Sequence, residues 1–106
     1  MINKGLRVMI ADTQHERRLR LERDFNQQGY YAIAPVSSLD ELTTLLGCGD
    51  RAFDLVLINA NLGREVGFNL KAFCQDHPLI RQALIYQVPE LFVTLSRHTQ
   101  RSPQEA

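Results

Sequence analysis

The apolar run within FDLVLIN, residues 53–59, constrains the fold more than any other stretch of the chain. Its four central residues, 55 to 58, read Leu-Val-Leu-Ile and show no alternation of apolar and polar side chains. A strand with one solvated face would alternate, so this run predicts a central parallel strand that is covered on both faces. The run ends at Asn59, where the chain leaves the predicted strand.

Short apolar runs alternate with longer amphipathic segments along the chain. The sequence predicts strands at residues 6–11, 30–36, 53–59 and 82–87, and helices at 13–29, 38–47, 66–77 and 89–101. Gly29 and Gly47 are placed to end the first two helices, and Ser38 and Glu41 have capping-box spacing. This alternation predicts an α/β fold with a parallel sheet and helices on both faces.

Composition narrows the class of protein further. The 106 residues suit one small domain, here residues 1–101 followed by a polar tail at 102–106. Lys+Arg and Asp+Glu both total 12, so net charge gives no electrostatic case for direct nucleic-acid binding. We find no apolar run that could span a membrane, no signal peptide and no disulfide framework among two cysteines. These features favour a cytoplasmic protein that does not bind membranes.

Ligands of open parallel sheets bind at the carboxyl ends of the strands. Asp12 and Thr13 follow the first predicted strand, residues 59–63 follow the third, and Tyr86 with Gln87 ends the fourth. The chain contains no glycine-rich phosphate-binding loop, and its histidines form neither a metal-binding pattern nor a catalytic triad. We therefore expect no cofactor, no bound metal and no catalytic residue.

The segments RVMIAD and FDLVLINANL, together with Gly67, resemble in order and spacing the receiver domain of two-component response regulators. The resemblance covers about residues 5–88. It implies a three-layer, flavodoxin-like, doubly wound parallel sheet, here truncated to about four strands in the order 2-1-3-4 with four helices. In that family, an acidic pair holds Mg²⁺ while an aspartate at the end of the third strand accepts a phosphoryl group.

The chain departs from the family pattern at the positions that carry this chemistry. The resemblance implies a degenerate phosphoacceptor site at Asp12, Thr13, Asn59 and Tyr86, or Gln87 if the register shifts by one. Asn59 replaces the acceptor, Thr13 replaces one acidic residue, and Tyr86 or Gln87 replaces a small hydroxyl residue. We therefore expect a pseudo-receiver that is not an enzyme and that signals, without phosphorylation, by protein–protein contact.

From the resemblance we expect this chain to lack the family's fifth strand and fifth helix. We therefore expect the fourth strand to be a sheet edge beside an apolar patch, and we predict an interface at Leu84, Tyr86, Leu91, Phe92 and Leu95. The expected partner is a second copy of the chain or another two-component signalling protein. The alternatives are a small flavodoxin-like enzyme or nucleotide binder, or an N-terminal fragment of a longer transcriptional regulator.

Two plainer interpretations compete for residues near the predicted site. Asp12 could simply cap the first helix, and we weigh this equally with a relic of the acidic pair. Four arginines of the first helix, at 17, 18, 20 and 23, are interleaved with acidic residues. This favours a solvated helix face, although the family docks its kinase-side partner on this helix.

Overall fold

A computed structural model of the chain describes residues 5–87. The elements are β1 (Val8–Ala11), α1 (His15–Gln27), β2 (Ile33–Val36), α2 (Leu39–Cys48), β3 (Leu55–Asn59), a 3₁₀ turn (Arg64–Val66), α3 (Leu70–Asp76) and β4 (Ala83–Tyr86). All strand pairs are parallel, and the sheet order is β2-β1-β3-β4. The predicted fold class is thus confirmed, with three helices described. The helix predicted at residues 89–101 lies outside the described residues.

One face of the sheet is covered by α1. Its residues Leu21 and Phe25 pack against Val8 and Ile10 of β1 and Leu57 of β3. These two helix residues lie four positions apart and therefore occupy one side of α1. The remaining sides of this helix stay available for polar contacts.

The opposite face carries the larger core, beneath α2 and α3. Leu42 and Leu46 of α2 and Leu70 of α3 belong to one buried cluster with Val56 and Ile58 of β3. Because β3 presents side chains to both cores, an apolar residue is required at every position from 55 to 58. Among the described residues, no helix is long and apolar enough to cross a membrane.

The ends of the first two helices agree only partly with the sequence prediction. Gly29 follows α1 with φ of +97°, in the left-handed conformation typical of a glycine helix stop. The Ser38 hydroxyl accepts a hydrogen bond from the Glu41 backbone N–H at 3.0 Å, as the capping box predicts. The prediction that Gly47 ends α2 was wrong, because the helix continues through Cys48.

The third helix begins later than predicted, at Leu70 instead of residue 66. Gly63 and Gly67, with φ of +79° and +66°, bracket the 3₁₀ turn that occupies residues 64–66. The left-handed backbone at Gly67 interrupts any continuous right-handed helix through this segment. Asn69 then caps α3, its side-chain oxygen accepting from the Ala72 N–H at 3.0 Å.

Gly63 and Gly67 provide a matched test of this loop. Alanine at either position should cost about 1–2 kcal/mol because both backbones are left-handed. Gly63→Ala should cost roughly 1–3 kcal/mol more, since its Cβ would lie 2.9 Å from the Phe68 Cβ, whereas nothing lies within 4 Å at Gly67. Urea unfolding of the two variants measures the difference, and equal losses would contradict the described packing.

Candidate functional site

Three of the residues predicted for the site meet at the carboxyl ends of neighbouring strands. Asp12 directly follows β1, while Asn59 and Tyr86 end β3 and β4 and are paired in register. Asp12 Oδ2 accepts a hydrogen bond from the Asn59 side-chain amide at 3.2 Å and another from the Tyr86 hydroxyl at 2.5 Å. With Arg17, which also contacts Asp12, these residues form what we call the Asp12 cluster.

The carboxylate of Asp12 is fully buried, with 0% of the residue exposed. A charge in this position is costly unless hydrogen bonds and an opposite charge compensate it. The Arg17 guanidinium Nη1 donates to Oδ1 at 3.0 Å and to Oδ2 at 2.9 Å, and the Gln14 backbone N–H donates to Oδ1 at 2.9 Å. The carboxylate is therefore satisfied entirely by groups of the protein itself.

Arg17 is the member of the cluster that sequence reasoning missed. The interleaved charges favour a solvated helix face for this residue, yet its side chain is only 26% exposed and forms a salt bridge with Asp12. Arg18 also turns toward this strand end and donates to the Asp12 backbone carbonyl at 2.5 Å. Arg20 and Arg23 remain exposed. The sequence pattern that could have identified Arg17 is an aspartate at a strand end followed five residues later by an arginine on the next helix.

Asn59 uses both ends of its side-chain amide. Its Nδ2 donates to Asp12, and its Oδ1 accepts from the Asn61 backbone N–H at 2.8 Å. An aspartate in this position would place a second negative charge beside the buried carboxylate of Asp12 and would have no hydrogen to donate. The amide therefore suits the position as a donor to Asp12.

Tyr86, and not Gln87, is the residue of β4 that enters the cluster. Its half-buried side chain packs against the α1-side core and directs its hydroxyl to Asp12. Burial, the hydrogen bond to Asp12 and the charge of Asp12 raise the pKa of Tyr86 above its ordinary value of 10.0. Tyr86 therefore remains protonated and acts as a hydrogen-bond donor, while Gln87 is exposed.

Thr13 also lies outside the Asp12 cluster. It is exposed and lines a surface cleft of about 500 Å³ with Ser38 and Asn61, among other residues. The interpretation of Asp12 as the helix cap needs a similar correction, because the N-cap of α1 is Gln14. The Asp12 carboxylate instead accepts the Gln14 N–H and forms the turn that precedes the helix.

Two opposing effects set the charge state of Asp12. Burial alone would raise the pKa of this carboxyl, whereas hydrogen bonds from Tyr86, Gln14, Arg17 and Asn59 lower it. The hydrogen bonds prevail, and the pKa lies below its ordinary value of 3.8. Asp12 is consequently a carboxylate at neutral pH, which the Arg17 guanidinium neutralises.

The donor set does not fit a divalent cation such as Mg²⁺. Mg²⁺ requires near-octahedral coordination by oxygen ligands. The cluster offers one carboxylate, both of whose oxygens already contact the Arg17 guanidinium, and the Asn59 carbonyl oxygen binds a backbone N–H. Across residues 5–87, we find no group of three or more histidine, cysteine or acidic side chains that could hold a metal.

The predicted interface falls partly within the described chain. Leu84 of β4 is 56% exposed, so its position suits a contact surface. Tyr86 is instead directed into the Asp12 cluster. Leu91, Phe92 and Leu95 lie outside the described residues.

Comparisons with known proteins add no family to these observations. No protein-family model matches the chain, and no curated protein is significantly similar to it. The geometry of the Asp12 cluster therefore carries the functional interpretation.

Arg17→Ala tests the salt bridge at the centre of the cluster. The variant should lose about 1–3 kcal/mol of unfolding free energy, because a buried carboxylate loses its charged partner and keeps only neutral donors. Arg20→Ala is the matched control on the exposed side of α1 and should change stability by less than about 0.5 kcal/mol. Equal losses in urea unfolding would contradict the described role of Arg17.

The lowered pKa of Asp12 predicts a pH dependence. Its folded-state pKa lies below 3.8, so its contribution to stability is complete above this pH and is lost as the pH falls through the folded-state pKa. Between pH 4 and pH 2 the wild-type protein should therefore lose more stability than Asp12→Asn, which cannot titrate there. Urea unfolding across this range measures both slopes, and parallel curves would contradict the assignment.

Proposed function

We propose that this protein is a phosphorylation-independent pseudo-receiver, a signalling module that acts by protein–protein contact and not as an enzyme. The observation that carries the proposal is the saturation of the buried Asp12 carboxylate by Arg17, Asn59, Tyr86 and a backbone N–H. A receiver that accepts phosphate needs its carboxylates open to a metal ion and to the phosphodonor. Here, at the carboxyl ends of the strands, hydrogen-bond donors of the protein itself occupy the carboxylate.

Two features of the site argue against phosphoryl transfer. Formation of an acyl phosphate requires a carboxylate nucleophile, whereas Asn59 at the end of β3 carries an amide whose nitrogen donates to Asp12. The positive charge that Mg²⁺ would supply to a phosphoryl oxygen is replaced by the guanidinium of Arg17, fixed on Asp12. The scaffold thus keeps a receiver-like shape without the groups that would accept phosphate.

Contact is the activity that remains for such a scaffold. The partner is a second copy of the chain, or a histidine kinase, phosphotransfer protein or regulator of a two-component system in the cytoplasm. The exposed Leu84 supports a contact surface along the outer side of strand β4. The exposed Arg20 and Arg23 on α1 supply charges for a surface on the first helix.

Phosphorylation of the intact chain tests the proposal directly. Incubation with acetyl phosphate and Mg²⁺ should leave the intact mass unchanged, because neither an acceptor carboxylate nor a metal site is open. A phosphorylatable receiver treated in parallel shows that the reagents work. An added phosphoryl group that disappears in the Asp12→Asn variant would overturn the proposal.

The variant Asn59→Asp tests whether a carboxylate at the end of β3 is sufficient for phosphorylation when the rest of the Asp12 cluster is unchanged. It places a carboxylate at the end of β3 but leaves the Arg17 guanidinium on Asp12. We expect this variant to remain unmodified under the same conditions, and to be less stable than the wild type by about 1–3 kcal/mol, since two carboxylates then meet in a buried site. Unaltered stability would show that the Asn59 amide is not needed as a donor to Asp12.

A further inference from the structure

The two edges of the sheet differ in how they are protected against pairing with another strand. On β2, Ala32 and Val36 direct their carbonyls to β1, where they accept from the N–H groups of Val8 and Asp12. The direction of the backbone hydrogen-bonding groups alternates along a strand, so the backbone of Pro35 points away from β1. Because it is a proline, it has no N–H group to offer a further strand on that side. Proline at an edge strand blocks the addition of a further strand.

The β4 edge carries no such protection among the described residues. The carbonyls of Gln82 and Tyr86 accept from the N–H groups of Val56 and Ala60 and therefore face the sheet. Ala83 and Ile85, one position out of phase, direct their backbone N–H and C=O groups outward. Residues 82–87 contain neither a charge nor a proline, and the Leu84 side chain beside this edge is 56% exposed.

We propose that β4 is a homodimer interface, at which β4 strands of two copies pair antiparallel about a two-fold axis at Leu84. This inference deepens the proposed function, on which it rests, by naming the partner and the contact. With Leu84 opposite Leu84, Ala83 of one copy faces Ile85 of the other. Each such pair exchanges two backbone hydrogen bonds, and the two sheets become one continuous sheet of eight strands.

The strand is self-complementary in this register, which favours a second copy over an unrelated partner. Leu84 forms the non-hydrogen-bonded pair, so the two half-exposed leucines come into contact on the same face of the joined sheets. Arg81 is the charged residue that directly precedes residues 82–87. In this register it lies opposite Gln87 of the other copy, and not opposite the other copy's Arg81. No like charges therefore oppose each other along the pairing.

The Asp12 cluster holds this edge in place. The Tyr86 hydroxyl binds Asp12 at the end of β1 and so fixes the carboxyl end of β4 to the centre of the sheet. At the other end of β4, the Arg81 backbone N–H donates to the Phe53 carbonyl at 3.0 Å. The strand is thus fixed at both ends while its outer edge faces away from the described residues.

Sedimentation equilibrium of the 106-residue chain tests the interface. The wild type should dimerise with a dissociation constant between roughly 1 µM and 1 mM, as expected of a small interface. Leu84→Lys should weaken dimerisation by about 100-fold, because it opposes two like charges at the two-fold axis. Tyr31→Lys is the control, since Tyr31 is 72% exposed, lies next to β2 and should leave the dissociation constant within about twofold of the wild type.

Cysteine cross-linking tests the register even if a charged variant fails to fold. In a Cys48→Ser background, which removes the exposed native thiol, Leu84→Cys should form an intermolecular disulfide under mild oxidation. Non-hydrogen-bonded antiparallel pairs have a suitable Cα separation of about 4.5 Å. Arg81→Cys is the control and should cross-link at least about tenfold more slowly, because it faces Gln87.

The dimer proposal would be overturned if the chain stayed monomeric at concentrations up to about 1 mM. Equal cross-linking rates for the Leu84→Cys and Arg81→Cys variants would overturn it as well. So would a dimer that Leu84→Lys leaves intact, since another surface would then be the interface. These outcomes differ from failure of the pseudo-receiver proposal, which would appear as a phosphoryl adduct in the intact mass whatever the oligomeric state.

Discussion

The structure at the carboxyl edge of the sheet depends on one requirement, the compensation of a fully buried negative charge at Asp12. Burial of an isolated carboxylate would cost far more than a small domain can spare. Its oxygens instead receive hydrogen bonds from α1, β3 and β4, through Arg17, Asn59 and Tyr86. These three elements are therefore held together at the tip of β1 by a single side chain.

This arrangement links the fold to the proposed function. Once a guanidinium and neutral donors satisfy the carboxylate, the same oxygens are no longer available to a metal ion or a phosphoryl group. The Asp12 cluster has a structural role, because it fixes the start of α1 and the end of β4 relative to the sheet core. Within the described residues, β4 is also the last strand on its side of the sheet.

The sequence was sufficient for the strands and for the meeting of Asp12, Asn59 and Tyr86. Four parallel strands place their carboxyl ends at one edge, so residues at those ends converge whatever their chemistry. Arg17 was missed because helical periodicity separates polar from apolar positions but does not show which arginine turns back to a buried carboxylate. The start of α3 was misplaced because the left-handed backbone at Gly67 depends on loop geometry that side-chain patterning does not encode.

Paramagnetic NMR with Mn²⁺ tests the central claim most directly, since Mn²⁺ shares the oxygen preference of Mg²⁺ and broadens nearby amide signals. If Asp12 is satisfied by Arg17, Asn59 and Tyr86, the amides of residues 11–14 and 59–61 should broaden no more than the amides of the other described residues. Selective, saturable broadening centred on Asp12 and Asn59 would contradict the account, because it would place an open metal site where the protein's own guanidinium is described.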